Sequence, residues 1–518
     1  MNYFKTTIIF LILTELLSVF AWQLPVLNLI CFSIIVFFTL ILSLKKLESG
    51  IFIAVSELIV GSYGYLFSLD YSQTLISVRM GIFATVMLAW VFHLFRLGGL
   101  KSWWFYLKKF KFFKYYLYLS IFLIWGLIWG LIRGNNFGNI FLDFNNWLFY
   151  LYLFPLIDIN RQHESTLNSR PLFSSFWNSL VSVSSAALVW LIIKTFLFLY
   201  IFSHQFIWAL PELYNWIRDT RVGEITLVSS NFSRIFIQSQ IYALFVFFII
   251  IPAIIFKKNL SLKSDIKKII VAIASLSVVI ISFSRSFWVG LILGLFILGV
   301  LSVLYYKNNW KKIITSTLKL SAITAVSILL IVIVINLPPA QPGDSLASLV
   351  SERGTKIEAA GNSRLNMLPP LFLAISRHPV IGSGFGTTVT YRSLDPRVLS
   401  TTAGASGEYT TYAFEWSYLD LILKIGIAGT LVYLYLIFKI LQSLWSQINL
   451  NQTISLGNNS NKTNIVLNLG LILAVISLIS VNIFTPYLNH PLGIGFILII
   501  SLYASKINDS HYDNQFNH

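Results

Sequence analysis

Apolar runs long enough to cross a bilayer recur along the whole chain, and they decide the fold class before any motif is read. A helix needs about 20 mostly apolar residues to span the hydrocarbon. Such runs centre near residues 14, 34, 59, 87, 123, 149, 190, 246, 276, 297, 327, 428, 474 and 496. The ninth and fourteenth are short, so the expectation is an all-α polytopic membrane protein with about 12–14 transmembrane helices. Of the 518 residues, 56% are hydrophobic and only 11% charged, against roughly 25% charged in a soluble protein. A soluble fold has no way to hide that much apolar surface. The first run, Thr7 to Trp22, follows Lys5 and looks like a signal peptide. It lacks a small-residue cleavage site and a second run begins at Pro25, so it reads as a retained first helix. The single cysteine, Cys31, lies inside an apolar run, which excludes an intrachain disulfide and a Cys-based metal site.

The net charge of +17 would suit nucleic acid, but the cations sit between apolar runs rather than in one stripe. Membrane topology accounts for them better. With the N-terminus inside, the cytoplasmic loops collect Lys45 and Lys46, then Lys101, Lys108, Lys109, Lys111 and Lys114. Lys257, Lys258, Lys263, Lys267 and Lys268 follow, then Lys307, Lys311 and Lys312. Roughly 22 of the 37 basic residues fall on that side, which places both termini in the cytoplasm. The opposite face is nearly all arginine: Arg133, Arg218, Arg221, Arg234, Arg285, Arg353, Arg364, Arg377, Arg392 and Arg397, with Lys356 its one clear lysine. A guanidinium is a planar fork that grips phosphate through two parallel hydrogen bonds, whereas an ammonium is a point charge. The alternative is that these arginines pair with Asp219, Glu224, Glu352 and Glu358 nearby, and the residues alone leave both readings open.

Two outer segments are long, residues 202–233 and 337–414, and the second opens with Pro338, Pro339, Pro342 and Gly343. Within it one helix is expected over Ser345 to Ala360 and a more apolar one over Arg364 to Ser376. Leu368, Leu371, Phe372 and Leu373 suit the second to the membrane surface, as a lid over a site. Domains are expected at 1–202 (an N-terminal bundle), 203–440 (the core with the 337–414 loop) and 441–518 (a cytoplasmic loop and the last helices).

Arg234, in Asn231-Phe-Ser-Arg-Ile-Phe-Ile-Gln238, and Arg285, in Ser282-Phe-Ser-Arg-Ser-Phe-Trp288, fall at the same ends of spans that run in opposite directions. Both arginines therefore reach one face. With Ser284, Ser286 and Gln238 as further donors they suit a diphosphate, against the alternative of snorkelling to headgroups. Gly382-Ser-Gly-Phe-Gly386 lacks the strand and helix of a dinucleotide fingerprint, and reads as a tight bend whose N–H groups face a ligand or nothing. His378 precedes Pro379 and reads mainly as a helix end. Glu415 and Asp420, with Glu408 just before them, suit either a proton-accepting carboxylate or a salt bridge to an arginine. Lys194 and Lys424 lie inside spans, where charge costs about 2.5–3.5 kcal/mol on insertion scales, and Glu15 and Glu57 raise the same question.

In order and spacing these pieces resemble the O-antigen ligase and polymerase superfamily of bacterial envelope glycosyltransferases. The resemblance is carried by Ser233-Arg234, the Ser284 to Ser286 turn, the large outer loop with Asn362-Ser-Arg364 and His378-Pro-Val-Ile-Gly-Ser-Gly-Phe-Gly386, and Lys424-Ile-Gly-Ile-Ala-Gly429. It is clearest over residues 230–430. It implies a GT-C-like membrane architecture in the bacterial inner membrane. The implied reaction moves a glycan from a polyprenyl-diphosphate carrier to an acceptor hydroxyl on the outer face, without metal or nucleotide-sugar cofactor. Partners would be that lipid-linked donor, a glycan or lipid-linked acceptor, and membrane lipids. By analogy Arg234 and Arg285 hold the diphosphate and Arg364 adds a third contact. Ligases commonly carry a His about eleven residues before the Gly-Ile-x-Gly stretch, and here that position is Glu415, followed by Trp416. That departure favours a polymerase-like or exopolysaccharide enzyme. The candidate catalytic residues are therefore Arg234, Arg285 and Glu415, and the substrate-binding candidates Arg364, Ser284, Ser286, Gln238 and His378. The rival from another class is a lipid-linked oligosaccharide flippase or polysaccharide transporter, which calls for path-lining charges and paired interrupted helices.

Overall fold

The structure is a computed structural model that describes residues 2–71, 74–96, 99–164, 170–206, 208–257, 261–306, 309–339, 342–355, 359–393, 407–454 and 459–506. Lys258, Lys307, Lys356, Glu358 and Arg397 lie outside the described residues.

In chain order the elements begin with α1 (Tyr3–Gln23), α2 (Pro25–Lys45), α3 (Leu47–Val60), β1 (Ser68–Tyr71), β2 (Thr74–Ser77), α4 (Val78–Arg96), α5 (Gly99–Lys109) and α6 (Phe113–Ile132). Then come α7 (Phe137–Phe144), a 3-10 stretch, α8 (Leu153–Glu164), α9 (Arg170–Ser203), α10 (Leu210–Asp219), β3 (Glu224–Ser229) and β4 (Phe232–Phe236). Helices α11 (Ile241–Ile255), α12 (Leu262–Ile281), α13 (Arg285–Tyr306) and α14 (Trp310–Ile335) follow. The long loop holds α15 (Leu346–Thr355), α16 (Ala359–Arg377), β5 (Val389–Arg392) and β6 (Glu408–Thr411). The chain closes with α17 (Ser417–Ile454), α18 (Asn459–Val481) and α19 (Pro491–Lys506).

Among the described residues, eleven helices are long and apolar enough to cross a membrane. The three remaining expected centres fall on α3, with 14 residues, on α12, which opens with Lys263, Asp265, Lys267 and Lys268, and on α19, with 16. The protein is an all-α polytopic membrane protein. Among the described residues the only sheets are three two-stranded antiparallel hairpins, β1–β2, β3–β4 and β5–β6.

Contacts divide the chain into two units. The first comprises residues 1–107, 152–346 and 451–477. In it α1 and α3 pack on α9, α2 on α4, and α12 on α11 and α14. Two buried cations in it are paired: Lys194 of α9 bonds Glu15 of α1, and Arg79 of α4 holds Glu57 of α3 at 2.7 and 3.0 Å. The second unit comprises residues 108–151, 347–450 and 478–518. Helix α16 buries Met367 and Leu371 against Val389, Phe414 and Leu423, while Leu365, Phe372 and Leu373 on its other faces stay exposed. Helical periodicity places these two sets on different sides of one helix, the pattern expected of an interfacial segment.

Candidate functional site

In the first unit Arg234 sits on a strand, not in the first turn of a span. Phe232-Ser-Arg-Ile-Phe236 has aromatic and β-branched residues spaced for a hairpin edge, and it pairs with β3 in the register Thr226 opposite Arg234. Helix α11 starts only at Ile241, after a 3-10 turn at Gln238–Gln240. On the other side α12 stops at Ile281 because Phe283 adopts a left-handed backbone, φ 46°. That conformation is strained for a bulky residue. Full burial of the Phe283 ring against Phe232 (4.9 Å) and Trp288 (5.5 Å) holds it there. Helix α13 then opens at Arg285 itself.

Arg234 reaches the turn that precedes Arg285. Arg234 Nε donates to the carbonyl of Ser282 at 2.9 Å, three residues before Arg285. Phe236 packs on Phe287 at 5.7 Å, fastening the strand to the first turn of α13. Arg234 also lies over the Phe236 ring, with Nη1 3.9 Å from Glu224 Oε2. Both guanidiniums are half-buried, so water screens them less than on an open surface. The hydroxyls of Ser284 and Ser286 are buried and bonded to each other at 2.9 Å, so each already serves the other. Gln238 is buried, and its N–H donates to Ser62 Oγ at 3.2 Å.

The second unit holds the other candidates. Arg364 of α16 forms an ion pair with Glu415, and Trp416 Nε1 donates to the Arg364 carbonyl at 2.9 Å. The salt-bridge reading of Glu415 is thus the one the geometry displays. Arg392 faces Glu408 across β5–β6, and in the first unit Arg218 pairs likewise with Asp219 at 2.8 Å. His378 ends α16, its ring edge-on to Trp129 at 6.3 Å.

Deeper in this unit lies a centre that the sequence had shown only in fragments. Lys424 Nζ is 2.5 Å from Asp143 Oδ1 and 2.6 Å from Asp420 Oδ1, and all three side chains are buried. Asn489 donates to Asp420 Oδ2 at 2.8 Å, and the Gly386 N–H to Asp143 Oδ2 at 3.0 Å. Asp143 was not singled out beforehand. The available signal was a lone carboxylate in an apolar run, which calls for a partner.

The same residues explain the glycine motif. Helix α17 is interrupted at Gly426, φ 73°, and residues 379–384 fill the gap. Ser383 and Gly384 N–H groups donate to the carbonyls of Leu423 and Lys424. Ile427 and Ala428 N–H groups donate in turn to the carbonyls of Pro379 and Val380. Phe385 N–H reaches the Gly126 carbonyl of α6 at 3.0 Å. The N–H groups of residues 382–386 therefore face protein acceptors. A Cβ on Gly384 would stand 2.4 Å from Gly130 N, and one on Gly426 2.0 Å from the Val380 carbonyl oxygen. Only glycine permits that approach.

Residues 270–434 match the O-antigen ligase family model, a span that contains Arg285, Arg364, His378, Glu415 and Lys424 but not Arg234 or Gln238. None of the curated proteins compared with the chain matches it. That segment, residues 270–434 of the 518, is similar to the O-antigen ligase family, and it includes the long inter-span loop.

Proposed function

We propose that this protein is a membrane glycosyltransferase that transfers or polymerises glycan units from a polyprenyl-diphosphate carrier onto an acceptor hydroxyl. The observation that carries the reading is the Arg234–Ser282 bond, which seats one candidate arginine beside the turn that presents the other. The family match supports a membrane enzyme that handles glycans. The lysine-rich loops support an orientation with both termini in the cytoplasm and these arginines on the outer face.

In this mechanism Arg234 and Arg285 hold the two phosphates and stabilise the charge that grows on the diphosphate as the glycosidic bond breaks. Aligned in advance, such donors stabilise the transition state without reorganising at the moment of reaction. The strained Phe283 turn and its aromatic packing are what align them. Glu415 is the proposed proton acceptor for the attacking hydroxyl, and its ion pair with Arg364 orients it at rest. Arg364 and His378 remain candidate substrate contacts. Deleting the gene and separating envelope polysaccharide by gel tests the class. Loss of long chains supports a polymerase, and long chains left on their carrier support a ligase. An unchanged glycan profile together with impaired movement of lipid-linked glycan across the membrane would establish a flippase instead.

A further inference from the structure

The turn after α3 takes no part in the transfer chemistry just described, yet an unusual number of groups fix it. Lys194 donates to the carbonyl of Val60, and Arg79 to that of Ser62 at 2.8 Å, each cation itself held by a glutamate. Ser18 Oγ donates to the Leu66 carbonyl, and Ser62 Oγ accepts from Gln238 N–H. Cations satisfying the last carbonyls of a helix stabilise its end. Here they freeze Gly61-Ser-Tyr-Gly-Tyr-Leu66, with Ser62 at φ 55° and Gly64 at φ 90°.

What this rigid turn presents is aromatic and charged. Tyr63 is 44% exposed. Tyr65 carries the Arg221 guanidinium over its ring at 4.6 Å. Glu224 and Arg221 lie within electrostatic reach of Tyr63, and Glu224 is the residue 3.9 Å from Arg234. The turn's tyrosines thus sit near a donor, Arg221 over Tyr65, and an acceptor, Glu224, which lies beside the arginine assigned to the diphosphate. The C–H face of a pyranose is apolar and packs on the electron-rich face of an aromatic ring, while its hydroxyls need a few well-placed donors and acceptors. A tyrosine on a frozen turn meets such a ring with little entropy left to lose.

We propose that Tyr63, Tyr65, Arg221 and Glu224 form a glycan subsite that holds the sugar next to the donor's diphosphate. It deepens the transferase reading and rests on the diphosphate assignment of Arg234 and Arg285. The ring of Tyr63 stacks on the sugar, Glu224 accepts from a hydroxyl, and Arg221, steadied on Tyr65, donates to one.

The test uses the full chain in lipid nanodiscs and two probes: sugar-free undecaprenyl diphosphate, and the same carrier bearing one N-acetylhexosamine. The wild type is expected to bind the sugar-bearing carrier more tightly. Tyr63→Ala should lose about tenfold affinity for it, the scale of one aromatic stack with its buried area, and bind the sugar-free carrier as before. Tyr63→Trp should keep the preference. If Tyr63→Ala aggregates, Glu224→Gln, which preserves shape, carries the same comparison. The subsite is overturned if both carriers weaken equally, or if neither does. If instead the sugar-free carrier binds an Arg234→Ala/Arg285→Ala variant as well as wild type, the diphosphate assignment has failed, and the subsite loses its reference point with it.

Discussion

Replacing Lys424 by methionine removes the one cation from a buried centre that also holds two carboxylates. With Nζ at 2.5 and 2.6 Å from Asp143 and Asp420, Coulomb's law at an effective dielectric of about 20 gives roughly 6–7 kcal/mol of attraction per contact. Most of that only offsets the cost of taking three charges out of water. The informative quantity is therefore the penalty for breaking the set, about 3–5 kcal/mol when one partner of a buried ion pair is removed. In Lys424→Met both carboxylates keep their burial and lose their counter-ion, so the upper end of that range applies. Asp420→Asn moves the formal charge of the centre from −1 to 0 and leaves an oxygen for Asn489, so it should cost no more than about 1 kcal/mol. The triple variant Lys424→Met/Asp143→Asn/Asp420→Asn removes every charge and keeps an acceptor for Gly386. It should be clearly more stable than Lys424→Met alone. Thermal unfolding of the detergent-solubilised protein, followed by intrinsic fluorescence, ranks the four proteins. A Lys424→Met variant as stable as the triple variant would refute the reasoning, because charge would then not be what holds this centre.

Gly426→Ala should behave as a core clash and not as a mild helix-propensity change: its Cβ would sit 2.0 Å from the Val380 carbonyl oxygen at φ 73°, and a large fall in folded yield on size-exclusion chromatography checks it. Arg285→Lys is expected to lose activity on the order of 10²–10³-fold, the cost of one lost transition-state donor, in a chain-extension assay on lipid-linked glycan. A fully active lysine variant would remove the forked-clamp argument. Lys257 and the Ser261 N–H hold the Asp265 carboxyl below its ordinary value at the start of α12. The folded state therefore gains from this carboxylate above about pH 4 and loses the gain as pH falls through the lowered value. The thermal midpoint of wild type should exceed that of Asp265→Asn at pH 6 and converge on it towards pH 3.

The architecture was legible because hydrophobic length is a local signal. Every expected centre lies on a helical segment, and the two loop helices appear as Leu346–Thr355 and Ala359–Arg377 against expected Ser345–Ala360 and Arg364–Ser376. The β3–β4 hairpin was missed because Ile235, Phe236 and Ile237 run without a break into the apolar stretch of α11, and four or five alternating residues barely register against a span. The charges read as isolated in spans all proved paired, but their partners lie far along the chain. Glu15 and Lys194 are 179 residues apart, and Asp143 and Lys424 are 281 apart. Nothing local encodes which carboxylate meets which lysine. The cost of buried charge says only that a partner exists.

An interrupted helix in a membrane protein exposes backbone groups that the bilayer has no means to satisfy, and in transporters such breaks coordinate cargo. The break at Gly426 is different, because its freed groups are used by the chain itself. Leu423 and Lys424 carbonyls and Ile427 and Ala428 N–H groups all bond to residues 379–384. This interruption therefore lends nothing to a flippase reading. Its effect is mechanical. The segment docked there begins at the end of α16, while the other end of α16 is tied to the start of α17 by the Arg364–Glu415 pair and the Trp416–Arg364 bond. Met367, Leu371, Phe414 and Leu423 fill the space between the two ties. A loop helix fastened at both ends and packed in the middle cannot swing as a free lid. Movement of α16 requires either parting the exposed ion pair or unseating a glycine-lined, fully bonded plug, and the first costs far less. Parting Arg364 from Glu415 is thus the cheaper of the two ways to release α16.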